Sequence, residues 1–159
     1  MSSRLINLIV VHCAATPNGR RTTVEDVNSW HYQRGFRRSP AFRARQNHSL
    51  DAIGYHFLVY INGAIATGRH LDEIGAHAAG FNQKSVGVCM AGTDSFTLAQ
   101  WDALRGNVQL LMDRYPQARV VGHRDLPKVA KSCPGFNVAD WLRGDMAPLA
   151  GHVLEASRP

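Results

Sequence analysis

The sequence predicts a single α/β domain in which a central mixed β-sheet is flanked by helices. Three observations carry this reading. Apolar runs of strand length recur at 5–11, 54–61, 85–91 and 118–122. Between them lie two stretches with helical spacing, each opening on a Thr-x-x-Glu/Gln capping box. Asn62-Gly63 folds the second strand back on itself, which adds an antiparallel neighbour to an otherwise interleaved order.

Composition sets outer bounds. A chain of 159 residues, 45% hydrophobic and 19% charged, is large enough to bury a full core and too apolar to be disordered. No apolar run approaches the roughly 18 residues of a membrane span, so no membrane insertion is expected. The N-terminal apolar run leads into His12-Cys13 without a small-residue cleavage site. It reads as a core strand and not a signal peptide, implying synthesis in a cytoplasm. Cys13, Cys89 and Cys133 are odd in number and lack framework spacing, as in a reducing compartment. A formal charge of +6 points to an anionic partner. Nucleic acid is not supported, because no RNP-type motif or aromatic interleaving accompanies the basic residues.

In order, Leu5 to Val11 is apolar on both alternating faces except at Asn7, the pattern of a covered central strand, and His12 and Cys13 end it. Thr22 and Glu25 read as a capping box opening a helix that closes at Gly35. Val24, Val27, Trp30 and His31 share one stripe, with His31 a hydrogen-bonded core histidine. Residues 37–51 lack periodicity and read as a basic surface loop; Arg34, Arg37, Arg38, Arg43 and Arg45 have no acidic neighbour in sequence. Gly54 to Ile61 is rich in aromatic and β-branched residues and pairs through the hairpin with 64–67. A Gly- and His-containing loop, 68–84, leads to the strand 85–91, with Cys89 as a core thiol. The second capping box, Thr97 with Gln100, opens a helix whose stripe of Leu98, Trp101, Leu104, Val108, Leu111, Met112 and Tyr115 ends before Pro116. A short strand, 118–122, delivers His123; a short capped helix covers 137–143. The expected division is a catalytic domain over 1–144 and a weakly structured tail over 145–159.

Chemistry concentrates in the irregular stretch from Val121 to Phe136, which places His123, Lys131 and Cys133 on sharply turning backbone. A histidine and a cysteine in one loop can close on a metal, and a catalytic zinc site needs a third protein ligand and an open position. His12 is the best candidate because, like His123, it ends a strand. Two adjacent parallel strands ending in histidine would bring both imidazoles to one edge. His56, His70 and His77 are rivals for that place. For the ligand tautomers, Asp125 or a backbone carbonyl is the expected support, with an Arg124–Asp125 ion pair as the competing use of Asp125.

Several blocks occur together and in order: Val11-His12-Cys13-Ala14-Ala15-Thr16, Ser29-Trp30-His31, Ile53-Gly54-Tyr55-His56-Phe57, Gly75-Ala76-His77-Ala78-Ala79-Gly80, Ser85-Val86-Gly87-Val88-Cys89 and the stretch around Cys133. In this the chain resembles the zinc-dependent N-acetylmuramoyl-L-alanine amidases of the type 2 amidase and peptidoglycan recognition protein family, small phage lysozymes included. The resemblance spans roughly residues 5–143. It implies one zinc ion per chain on His12, His123 and Cys133, with Tyr55 and Lys131 as catalytic residues. It also implies a bacterial peptidoglycan substrate, with His77 and Asn82 in a loop lining the substrate groove. The activity implied is hydrolysis of the amide between N-acetylmuramic acid and L-alanine. The setting would be a monomeric phage or prophage endolysin, released to the wall through a holin. Two alternatives stand beside it: a non-catalytic peptidoglycan-binding module with a structural zinc, and a bacterial wall-recycling amidase. A regulatory protein partner is left open by the sequence.

Overall fold

The computed structural model describes residues 4–155. Five strands form one sheet: β1 (Leu8–Cys13), β2 (Phe57–Val59), β3 (Ile65–Thr67), β4 (Ser85–Met90) and β5 (Arg119–Gly122), in spatial order β3-β2-β4-β1-β5. β1, β2, β4 and β5 are mutually parallel and only β3 runs antiparallel, so the sheet is mixed as expected. The helices are α1 (Val24–Gln33), α2 (Pro40–Arg45), α3 (Leu98–Arg114) and α4 (Val138–Arg143), with 3-10 turns at Asn82–Lys84 and His123–Asp125.

The two faces of the sheet bury different sets of residues. Ile9, Val11, Val86, Val88 and Met90 pack with Trp101, Leu104, Val108 and Leu111 of α3 and with Trp141 of α4. On the other face Leu58 and Cys89 meet Val24 and Val27 of α1, while Val10 and Val121 are covered by Ala78 and Leu126. Cys89 is the buried core thiol expected of it.

Several local expectations shift, each for a physical reason. β1 begins at Leu8, with Leu5 66% exposed, and extends through His12 and Cys13 because both pair with β4. The cap of α1 is Thr23, whose side chain exchanges hydrogen bonds with Asp26, one residue later than the Thr22/Glu25 box. Thr22 is buried instead, its hydroxyl donating to Thr16 Oγ1. The helix ends in a Schellman pattern, with Gly35 at φ +91° and Phe36 N–H donating to His31 C=O. Trp30 is 37% exposed and off the buried stripe; likewise Leu98 (62%) and Met112 (38%) of α3 face outward. The capping box of Thr97 and Gln100 forms as read.

The strand expected over 54–61 shrinks to Phe57–Val59 because Gly54 passes against another loop. A Cβ there would lie 2.0 Å from Ala76 O. The hairpin loop is three residues long, closed by Tyr60 N–H to Ala64 O with Gly63 at φ +86°. The segment expected to be a tail does not hang free in its described part. Met146, Leu149 and Val153 pack on the α3 side, and Phe96 pairs with Val153. Residues 156–159 lie outside the described residues.

The basic segment is the largest departure from a solvated loop. Arg38 is 5% exposed and forks onto Glu73, with its remaining donors on the carbonyls of Gln46, Asn47 and Leu50. Arg69 adds a second cation to Glu73 at 3.7 Å. These groups satisfy the backbone of two irregular loops that no strand could satisfy. Removing one partner of such a buried pair leaves a charge uncompensated and typically costs about 3–5 kcal/mol. Glu73→Ala is therefore expected to lower the urea-unfolding free energy by roughly that amount. Arg45→Ala, which breaks the exposed pair with Asp72, should cost no more than about 1 kcal/mol; equal losses would remove the special role given to Glu73.

Candidate metal centre and cleft

Register brings the first two residues together. Val11 of β1 pairs with Gly122 of β5 in parallel, so the next residues, His12 and His123, leave the same edge of the sheet side by side. Their ring centroids are 4.6 Å apart. Cys133 arrives from a loop that the core fixes on both sides. Its carbonyl accepts the Arg124 N–H at 2.8 Å, and Phe136 sits 4.8 Å from the Trp101 ring in the hydrophobic core. Gly122 and Gly135 allow the close approach. A Cβ on Gly122 would meet Pro134 at 2.9 Å, and one on Gly135 would meet Thr93 O at 2.1 Å.

His12, His123 and Cys133 each offer one donor atom, and these lie within 4.8 Å of one another. Cys133 Sγ is 3.8 Å from His12 Nδ1. Tetrahedral zinc with bonds near 2.0–2.3 Å sets its ligand atoms roughly 3.3–3.8 Å apart, so the group fits a metal of that kind with small adjustment. The electrostatics also suit ligation. Burial first, then His123 and Lys131, push the His12 pKa well below its ordinary value, and burial and Lys131 lower that of His123. Both imidazoles are therefore neutral with a lone pair available. The Cys133 thiol differs: the Cys13 side chain and burial push its pKa up, so a metal would have to displace its proton on binding. The Cys13 N–H also donates to Cys133 Sγ at 3.2 Å.

The three donors open into a cleft of about 850 Å³. Arg34, Lys128 and Lys131 line it, with no carboxylate among its wall residues. Tyr55 stands 5.1 Å from the His12 ring, and burial raises its phenol well above the usual range, so it is a hydrogen-bond donor at neutral pH. Lys131 is exposed on the loop before Cys133. The geometry thus brings Tyr55 and Lys131 to the wall that holds His12, His123 and Cys133.

The other histidines sort differently. His56 is fully buried: Nδ1 accepts the Gly87 N–H, and Nε2 donates to Glu73 C=O. His70 Nδ1 accepts the Asp72 N–H. His31 accepts the Gly54 N–H at 2.8 Å, the hydrogen-bonded core role expected for it. His77 and Asn82 line the cleft, as expected of their loop, and their polar atoms are also engaged within the protein. His77 Nδ1 is 2.8 Å from His12 Nε2 and its Nε2 is 3.2 Å from Ser85 Oγ; Asn82 Oδ1 accepts the N–H groups of His77 and Ala78. Asp125, expected to support a ligand imidazole, instead accepts the Gly122 N–H, and no Arg124–Asp125 pair occurs among the described residues. Sequence reasoning missed Ser85 and Arg4. Arg4 laces the loop carrying His77 through the carbonyls of Leu71, Asn82, Gln83 and Ser85. Ser85 opens one of the blocks that carry the resemblance, though its pattern assigns it no role, and nothing in the linear pattern marks Arg4.

Residues 2–136 match the N-acetylmuramoyl-L-alanine amidase family. The endolysin of Enterobacteria phage K11 is 33% identical over 141 residues, covering 84% of this chain and 83% of the phage protein. Among solved structures, the endolysin N-acetylmuramoyl-L-alanine amidase LysCS from Clostridium intestinale URNW superposes with a TM-score of 0.71 at 26% identity. That match covers 90% of this chain and 85% of LysCS. Drosophila PGRP-LB shares the fold, with a TM-score of 0.66 at 22% identity over 97% of this chain and 88% of its own.

Several histidines are held neutral, which makes stability depend on pH; His31 and His56 are the two outside the candidate metal donors and their His77 neighbour. Burial lowers His31 to about 4 and His56 to about 3, whereas in the unfolded chain each titrates near about 6.5. Below that value the unfolded state binds protons that the native state refuses, so acid favours unfolding. The His31 and His56 contributions should be fully present above pH 6.5 and decline as pH falls to about 4 and about 3 respectively. Urea midpoints of metal-free protein across this range test it. His31→Gln should flatten the upper part of the decline, and an unchanged slope would show that His31 does not contribute.

Proposed function

The chain belongs to the N-acetylmuramoyl-L-alanine amidase family, and on that premise we propose that it is a zinc-dependent hydrolase of bacterial peptidoglycan. It cuts the amide joining the lactyl group of N-acetylmuramic acid to L-alanine of the stem peptide. The single observation that carries the reading is the convergence of His12, His123 and Cys133 at the floor of a cleft without acidic lining. Three donors and an open fourth position suit catalysis better than a structural zinc, which is normally enclosed by four protein ligands.

When held by His12, His123 and Cys133, zinc would supply Lewis acidity and lower the pKa of water from 15.7 to about 7. The chain's own groups then have separate tasks. Lys131 offers a fixed positive charge to the oxygen that becomes negative as the amide carbon turns tetrahedral. Tyr55 donates a hydrogen bond into the same space and restricts the orientation of the attacking oxygen. Arg34 and Lys128 extend the cationic wall, which favours the carboxylates of the stem peptide. The catalytic unit spans residues 1–144, and Met146, Leu149 and Val153 after it brace the α3 side of the sheet.

The phage relatives favour a lytic enzyme over a wall-recycling one. Among the described residues no helix is long and apolar enough to cross a membrane. The proposed route to the wall is release through a holin, as for a lytic enzyme of phage type. One zinc per monomer is the expected stoichiometry.

Purified protein should lower the turbidity of peptidoglycan suspensions, freeing L-alanine amino termini without new reducing ends. Reducing ends would make it a glycosidase. Chelation should abolish the activity and added zinc restore it. Cys133→Ser should lose both metal and turnover, and a fully active Cys133→Ser enzyme would overturn the ligand set. Lys131→Ala should keep its zinc while turnover falls about 10²–10³-fold, the usual loss for one oxyanion donor; a loss of zinc instead would reassign Lys131 to the fold.

A further inference from the structure

The side chains of Leu8, Val10 and His12 on β1 share a face with Ser85, Gly87 and Cys89 of β4, because these are register partners in a parallel pair. The middle partner on β4 has no side chain, and the His77 ring fills that space. A Cβ on Gly87 would lie 2.7 Å from His77 Cγ, and one on Gly75 would lie 2.7 Å from His77 Cδ2. The ring therefore lies in a slot left by two glycines, with His12 at one end and Ser85 at the other.

The loop that carries His77 is tied down independently of the ring. Asn82 Oδ1 accepts the N–H groups of His77 and Ala78 at 2.9 Å each. Arg4 fixes the loop flanks through five donor contacts to backbone carbonyls. Such a loop does not need the imidazole for its own shape, and the ring's nitrogens are both directed at side chains.

The proton positions follow by elimination. His12 Nδ1 is the nitrogen facing Cys133, at 3.8 Å, and must be bare to ligate. The His12 proton is then on Nε2 and donates to His77 Nδ1 at 2.8 Å. That leaves the His77 proton on Nε2, where Ser85 Oγ, buried and 3.2 Å away, accepts it. We propose that His77 is a positioning residue, which with Ser85 fixes the tautomer and ring orientation of His12 so that Nδ1 faces the metal. Metal-bound histidines commonly rest their second nitrogen on a carboxylate or carbonyl, and losing that support typically weakens metal binding 10–100-fold. Here a second imidazole takes the place of the carboxylate. A neutral support adds no negative charge to a site that already holds a thiolate.

This inference rests on the metal reading of His12, His123 and Cys133, and the test separates the two. Zinc affinity is measured by competition with a chromophoric chelator for wild type, His77→Leu and His77→Asn. Wild-type protein that fails to bind zinc would sink the metal reading itself. With zinc bound by wild type, His77→Leu is expected to bind about 10–100-fold more weakly. His77→Asn places an acceptor oxygen near the position of Nδ1 and should recover most of that loss. Equal affinities in all three proteins, or an Asn variant as weak as the Leu variant, would overturn the proposal.

A second measurement does not involve the metal. Nitrogen-15 spectra of metal-free protein should show His12 protonated at Nε2 alone in wild type, and a tautomer mixture in His77→Leu. A single unchanged tautomer in that variant would show that something other than His77 sets it. Should His77→Leu fail to fold, Ser85→Ala asks the same question from the far end. It is expected to mix the His77 tautomers and lower zinc affinity several-fold, and an unchanged protein would overturn the relay.

Discussion

The parallel pairing of β1 with β5 is the constraint on which the site depends. Its register sets Val11 against Gly122, and so His12 against His123. A one-residue slip would turn His12 to the opposite face and into the α3 core. That register is held because both faces are buried: Val10 and Val121 meet Ala78 and Leu126 on one side, and Val11 meets the aromatic core on the other. The grouping of the two candidate metal-binding histidines is thus an outcome of sheet packing.

The third donor has a different origin. Cys133 is on irregular backbone, which has no ladder to define it. Here the fixing is done by Phe136 in the Trp101 cluster, by the Arg124 N–H on the Cys133 carbonyl, and by glycines that permit contacts a Cβ would block. The opposite cleft wall uses buried polar groups instead. Arg38 and Arg69, held by Glu73, donate to loop carbonyls near the first helix; in the loop holding His77, Arg4 donates to carbonyls and Asn82 Oδ1 accepts N–H groups. Each device answers the same requirement, that buried backbone groups find partners where no strand supplies them. The cleft walls can therefore be irregular in shape and still rigid.

Rigidity of this kind has a consequence for catalysis. A ligand imidazole that swings or changes tautomer loses its lone pair from the site, whereas His12 is confined by the sheet below and by His77 behind. Lys131 and Tyr55 differ in this respect. Tyr55 is packed with the Leu58 and Cys89 cluster, while Lys131 is exposed on its loop. The proposed oxyanion donor is thus the more solvent-exposed of the two.

Much was legible in the sequence. Strand order, the mixed sheet, helices α1, α3 and α4 and the α4 cap follow from local pattern, because hydrophobic periodicity and capping chemistry act over a few residues. The short α2, capped by Ser39, lay inside the segment read as a loop because six residues carry too little periodicity. His12 and His123 could be paired on paper because strand ends in a parallel sheet share an edge. What the sequence left open depended on contacts between distant loops. Arg38 looked like one more solvated arginine until Glu73, far along the chain, took its charge. His77 read as a groove residue, and it does line the cleft, but only the folded sheet sets its ring over Gly87, between His12 and Ser85. Local chemistry determines which elements form and which atoms can act as ligands or donors. Only tertiary packing decides which buried nitrogen, oxygen or charge becomes another's partner, because those partnerships join segments that no short-range pattern connects.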